Sequence, residues 1–311
     1  MNSRDLVKAA IAHQPTDRVP YCISFTPDGE KELQKIIGPR SAKDFADNDI
    51  IQVNAPWWNW HENGPEWQEM EPPATTAKVI GDGSYGDFFD SLKMLRDNSG
   101  KYILVMIYGS HFEKANSLRG IENFLADLAD PPFARKLLNR IIEKNMVMLE
   151  NFLAAPEIDG VLLGSDWGTQ LDLIMSPDTW ENLIRPGEQR EYDLVHDYGK
   201  DVWVHSCGNI TKVIPPLVEM GLDVLNPVQP EAMDLSGLKK SYGAKLTFWG
   251  GISTQKILPF GTTDEVKNEA RRVRNLMSKG GGYIFAPAQE IQGDVPAENI
   301  LALIEVARET L

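Results

Sequence analysis

Apolar residues in this chain gather in short β-branched or aromatic runs, each followed by a stretch of helical periodicity. There are eight such runs: RVPYCISF (18–25), DIIQVNA (49–55), KYILVMIYG (101–109), IDGVLLGSD (158–166), DVWVHSC (201–207), LDVLNPV (222–228), KLTFWGG (245–251) and GYIFAPA (282–288). Most are unbroken rather than alternating, as expected of strands covered on both faces in a parallel sheet. The segments between them, such as PPFARKLLNRIIEKNMVMLENFLA and TTDEVKNEARRVRNLMSKG, open near Ser, Thr, Asp or Pro, and several close on Gly, which are helix start and stop signals. The pattern predicts an α/β fold: a single (β/α)8 barrel of the TIM type over residues 1–311, without a linker or internal repeat.

Residues 55–100 fit this rhythm poorly. The stretch is too long for a plain crossover and holds four of the eight tryptophans, Trp57, Trp58, Trp60 and Trp67. It predicts an extended excursion after the second strand, with a small hairpin around AKVIGDGSYGDFF. Its tryptophans either form a satellite core or give a lid that sets an apolar wall beside a substrate.

Composition narrows the function classes. The N-terminus has no signal-peptide core, and no run reaches the roughly 18 apolar residues of a membrane span, so a cytoplasmic protein without membrane contact is expected. Two cysteines far apart, Cys22 and Cys207, argue against a disulfide framework. The net charge of −14 has no compensating basic block, which excludes nucleic acid as a partner and disfavours strongly acidic ligands.

In a barrel of this kind catalytic groups lie at the C-terminal ends of the strands. Those ends carry Asn54, Tyr108 with Ser110 and His111, Ser165 with Asp166 and Trp167, His205 with Cys207, Asn226 with Gln229, and Gln289 with Glu290. Side chains alternate along a strand, so His205 and Cys207 face one way and Ser206 the other. Imidazole and thiolate are both zinc ligands, and Gly208 lets the backbone turn past an ion. Two donors alone are equally compatible with a buried cysteine beside a hydrogen-bonded histidine. A Cys207 nucleophile with His205 as base is less favoured, because the pair leaves little room for a carbonyl between them. Asp166 is either an acid of the site or a loop cap, and Glu290 a metal ligand, a general acid or a solvated loop carboxylate. His111 and His61 read as surface residues, His13 and His196 as helix members, and Cys22 as packing in the first strand. Gly280, Gly281 and Gly282 read as a helix stop.

The segments GSDWGTQ, DVWVHSCGNI, LDVLNPVQPEAMDLSGLKKSYGAKLTFWGGISTQKILPFGTTDEV and GGGYIFAPAQEIQGDVPAENI resemble the uroporphyrinogen decarboxylase superfamily. The likeness is strongest over residues 158–300, and it favours the branch of zinc-dependent, corrinoid-linked methyltransferases. True porphyrinogen decarboxylases carry an arginine-rich segment after the first strand and a catalytic aspartate after the second. Here those places read SFTPDGEKEL, without arginine, and Asn54. The methyltransferase branch matches at His205 and Cys207. A further cysteine completes its metal site from the last strand, and the matching position here is Gln289, which leaves Glu290 or Asp166 as the replacing oxygen ligand.

The resemblance implies a zinc-dependent enzyme moving a methyl group between a small O-, S- or N-methyl compound, or a thiol acceptor, and a corrinoid on a separate partner protein. Asp166, Tyr108 and Asn54 are the candidate catalytic groups. His205, Cys207 and Glu290 are the candidate metal ligands, and Trp57, Trp58, Trp167, Gln229 and Gln289 the candidate substrate contacts. Barrels of this kind often pair, so a homodimer is an expected assembly. Two other readings stand beside this one: a metal-independent decarboxylase or lyase in which Asp166, Tyr108 and His205 handle protons, and a barrel that binds a ligand without chemistry.

Overall fold

Seven of the expected runs form one parallel sheet, β1 (Ile50–Asn54), β2 (Tyr102–Met106), β3 (Gly160–Leu163), β4 (Asp201–His205), β5 (Val224–Asn226), β6 (Thr247–Ile252) and β7 (Tyr283–Pro287), hydrogen bonded in sequence order. The computed structural model describes residues 1–55, 85–107 and 109–311. Every connection between neighbouring strands is parallel, so each must cross over, and the helices this requires cover the outer face. The two side-chain sets of the strands separate accordingly. Tyr102, Leu104, Leu162, Trp203, Val224, Trp249, Ile284 and Ala286 form an inner cluster with Cys22 and Val7. Ile103, Val105, Val161, Leu163, Val202, Val204, Leu225, Phe248 and Phe285 pack outward in the large core shared with the helices.

Aromatic rings fill the lower interior. Trp203 packs edge-on against Trp249 at 5.4 Å, and its Nε1 donates to Tyr102 Oη at 3.0 Å. Tyr102 in turn donates to Asp201 at 2.6 Å. Gly160 permits this, because a Cβ there would fall 2.3 Å from the Tyr102 hydroxyl. The inside of the sheet is therefore a packed core at this level, and space opens only toward the C-terminal strand ends.

The expected first strand, 18–25, is not one. It is an extended segment touching β7 and the residues just after it through isolated bridges, Tyr21 to Phe285 and Phe25 to Ile291. Cys22 N–H donates to Phe285 O at 3.0 Å and Phe285 N–H to Pro20 O at 2.8 Å. Toward β1 a single backbone bond, Asp49 N–H to Tyr21 O at 3.0 Å, is supplemented by side chains: Asn48 both accepts from Ile23 N–H and donates to Ile23 O, each at 2.8 Å, and the buried Asp49 carboxylate accepts from Tyr21 N–H at 3.0 Å. Pro20 has no N–H to give, which is one reason a regular ladder does not form. Both edges of the seven-stranded sheet thus bond to one segment, consistent with a TIM barrel.

Of the stretch 55–100 in which an excursion is expected, residues 56–84 lie outside the described residues. The last part of that stretch is an ordinary crossover helix, Tyr85–Asn98, whose Phe88 packs on Phe152 at 6.1 Å. The hairpin expected over 77–89 lies mostly outside the described residues, and its end is helical instead. No helix among the described residues is long and apolar enough to cross a membrane.

Candidate active site

At the C-terminal strand ends lies a cavity of about 410 Å³. Its floor is apolar, with Cys22, Met106, Leu162, Trp249 and Ala286, and its polar wall includes Ser24, Gln52, Glu113, Asp166, His205, Cys207, Asn226, Gln289 and Glu290. Strand parity places the key groups. Trp203 belongs to the inner cluster, so His205, two residues on, and Cys207, two further, continue the inward row; Leu162, Gly164 and Asp166 do the same after β3.

The imidazole is held in one orientation. His205 Nδ1 lies 2.6 Å from Asn226 Oδ1, and the other end of that amide is fixed because Asn226 Nδ2 donates to Trp249 O at 3.1 Å. Nδ1 therefore carries the hydrogen, and Nε2 turns its lone pair into the cavity. Nε2 stands 3.3 Å from Cys207 Sγ and 3.7 Å from Asp166 Oδ1. Ligand atoms of Asp166, His205 and Cys207 all lie within 4.8 Å of one another.

Local backbone chemistry holds the thiol in place. Cys207 N–H donates to Asp166 Oδ1 at 2.8 Å, and Gly208 N–H donates to Gln229 Oε1 at 2.6 Å. Gly208 adopts φ +81° against the β3 loop, where a Cβ would sit 2.4 Å from the Gly168 carbonyl carbon, so the tight turn after Cys207 requires glycine. Gln289 Nε2 lies 2.8 Å from Cys207 Sγ, as a donor to it.

Electrostatically the cavity asks for a cation. Burial, reinforced by Asp166, pushes the Cys207 thiol up to about 12, so it is a neutral S–H at physiological pH and no ready nucleophile. Burial and Asp166 also push Glu113 up to about 7. The described lining holds Glu113, Asp166 and Glu290 but no lysine or arginine. An imidazole nitrogen, a thiol that a cation would ionise, and a carboxylate are a donor set zinc takes, and the partial exposure of Asp166, His205 and Cys207 leaves a side open. The residues fit the ion.

The other expected site residues are distributed unevenly. Asp166, Gln289 and Glu290 line the cavity, with Glu290 outside the close group of ligand atoms. Asn54 ends β1, exposed, and is not in the described lining, where Gln52 is the β1 residue. Trp167, expected beside substrate, is fully buried and packs edge-on against Trp180 at 5.4 Å; it follows inward-facing Asp166, so it points into the helix layer. Gln229 is buried and supports Gly208 instead of meeting a ligand. Tyr108, Trp57 and Trp58, with His61, Trp60 and Trp67, lie outside the described residues. His111 is not on the surface but fully buried. Sequence reasoning missed Glu113, which sits in the first turn of the helix His111–Arg119 and accepts from Asp166 N–H at 3.2 Å. A carboxylate in the first turn after a strand end was the available signal.

Comparison with known proteins places these features in context. The family model described as uroporphyrinogen decarboxylase (URO-D) matches residues 62–310. Among solved structures, a methyltransferase from Methanosarcina mazei superposes with a TM-score of 0.73 at 18% identity, covering 99% of this chain and 98% of that one, a likeness of fold. The IOLI protein with a bound zinc atom aligns over 91% of this chain and 92% of its own, at 11% identity and a TM-score of 0.41, too remote to carry weight. No curated protein sequence matches the chain.

Proposed function

The chain belongs to the uroporphyrinogen decarboxylase family, and on that premise we propose that it is a zinc-dependent methyltransferase. It moves a methyl group between a small O-, S- or N-methyl compound, or a thiol acceptor, and a corrinoid carried by a separate protein. The observation that carries this reading is the convergence of His205 Nε2, Cys207 Sγ and the Asp166 carboxylate in an acidic cavity whose described lining has no lysine or arginine. The fold shared with the Methanosarcina mazei methyltransferase supports it.

His205, Cys207 and Asp166 hold the ion, which when bound supplies Lewis acidity: it lowers the pKa of a thiol acceptor or stabilises the heteroatom that leaves a methyl donor. The protein's own groups do the rest. Asn226 keeps the His205 lone pair aimed inward. Gln289 donates toward Cys207 Sγ and tempers the charge of its thiolate. Glu113, with its carboxyl near neutrality, exchanges a proton with the substrate heteroatom, the task for which a pKa close to the working pH is suited. Cys22, Met106, Leu162 and Ala286 give the methyl-bearing part of the substrate an apolar floor. A porphyrinogen, bearing many carboxylates, would meet three acidic side chains and no described lysine or arginine, so decarboxylation of that substrate class is disfavoured.

The test is methyl transfer between cob(I)alamin and a panel of small methyl thioethers, ethers and amines, and the reverse reaction from methylcobalamin to thiols. Zinc-loaded protein is expected to turn over at least one pair, with His205→Ala and Cys207→Ser each at least about 100-fold slower. Equal rates for wild type and both variants would refute the reading.

A further inference from the structure

Behind the loop that follows β2, and apart from the cavity, lies a second group of metal-capable side chains, all fully buried: His111, Glu188 and Glu191, with ligand atoms within 4.8 Å of one another. His111 opens the helix His111–Arg119, while Glu188 and Glu191 stand three apart on the helix Arg185–Asp197, a spacing that puts both on one face. The chain builds this contact deliberately. A π-helical turn, Trp180–Ile184, precedes the second helix, and Ile184 O lies 3.1 Å from His111 Nε2. Such turns free carbonyls for other partners. Gly187 lets the helix approach, because a Cβ there would lie 2.9 Å from His111 Nε2 and 2.8 Å from Ile142.

The bonds around the imidazole leave acceptor atoms of His111, Glu188 and Glu191 turned toward one another. Nε2 faces a carbonyl, so it carries the ring hydrogen, and Nδ1 of the neutral ring presents a lone pair. Nδ1 faces Ser110 Oγ at 3.1 Å and Glu188 Oε1 at 3.3 Å. Ser110 has one proton, and it goes to Glu191 Oε2 at 2.5 Å; Asn145 donates to the other Glu191 oxygen at 2.8 Å. Neither Glu188 oxygen receives a well-formed hydrogen bond, although the residue has no exposure at all and the buried Tyr192 hydroxyl stands beside it. A buried carboxylate left in this state is costly. Lys114, the buried cation on the same helix as His111, gives its ammonium to Gly109 O.

We propose that His111 Nδ1, Glu188 and Glu191 hold a second divalent transition ion of the zinc class, in a closed structural site independent of the cavity and of the reaction assigned to it. The donor set, one imidazole and two carboxylates, is hard enough for zinc, manganese or iron(II). Ser110 and Asn145 orient Glu191, as the hydrogen-bonded neighbours of metal ligands do. Because the group is walled off, the ion enters during folding and cannot leave a native molecule quickly.

The decisive sample is untagged His205→Ala/Cys207→Ser protein, in which the cavity ligands are gone and the buried group intact. Elemental analysis is expected to find about one equivalent of transition metal, which a colourimetric chelator releases only after unfolding in guanidinium. In the same protein carrying Glu188→Gln, that equivalent is lost. Cooperatively unfolding double-variant protein with less than about a tenth of an equivalent would overturn the proposal, leaving a proton on His111 Nδ1 as the occupant. So would retention of the metal after Glu188→Gln. Neither outcome depends on methyl transfer, so failure here and failure of the cavity reading are separable.

Discussion

Asn226 Oδ1 lies 2.6 Å from His205 Nδ1, and this bond decides which imidazole nitrogen the cavity sees. Asn226 ends β5 directly beside His205 at the end of β4, paired in register, so the sheet itself delivers the orienting group. Asn226→Ala removes the acceptor and frees the ring to turn. Zinc affinity, measured by chelator competition, is expected to fall about 10- to 100-fold, while Asn226→Asp, which keeps an acceptor, stays close to wild type.

The junction between the first segment and β1 has one backbone bond, Asp49 N–H to Tyr21 O, and otherwise rests on side chains. Buried Asn48 makes two hydrogen bonds to the backbone of Ile23, satisfying both its N–H and its C=O. Asn48→Ala orphans a buried N–H and a buried C=O together, and is expected to cost about 2–4 kcal/mol in urea unfolding. Asn48→Asp keeps the acceptor for Ile23 N–H and loses the donor, so it is expected to fall between wild type and Ala.

The seven runs that became strands were legible because parallel staves need solid apolar sequence. The run 18–25 has the same composition, yet Pro20 and the competing side chains of Asn48 and Asp49 keep it from laddering. Parity made His205, Cys207 and Asp166 legible as one inward-facing set. The same rule, applied one residue further, would have sent Trp167 outward to its place against Trp180. Gln229 was misread because sequence cannot tell a polar side chain that meets a ligand from one that holds a neighbouring turn. Glu113 had only a weak signal, its place in the first turn after a strand end, and the buried His111 group had none, because it depends on where one helix docks on another, a property of packing between distant segments.

His196 Nε2 stands 2.9 Å from Asp223 Oδ2, and that hydrogen bond raises the imidazole above its ordinary 6.5. A histidine raised in the folded state lends stability that is fully present below its unfolded pKa and is lost as pH climbs through the folded one. Both side chains are about one-third exposed, so the contribution stays below about 1 kcal/mol. His196→Asn is expected to lower Tm by ~2 °C or less at about pH 5.5 and to leave it unchanged at about pH 9. A larger loss at the higher pH would contradict the sign.

The most direct test of the cavity reading is the near-ultraviolet spectrum of cobalt(II)-substituted protein. Cys207 is the sole thiol at the candidate centre, and the other cysteine, Cys22, is buried in the floor with its thiol pushed up to about 12; the buried His111 group contains no sulfur. Wild-type protein is expected to show a thiolate-to-cobalt charge-transfer band that saturates at about one equivalent and vanishes in Cys207→Ser. Cobalt bound without that band, or a band that survives Cys207→Ser, would contradict the account.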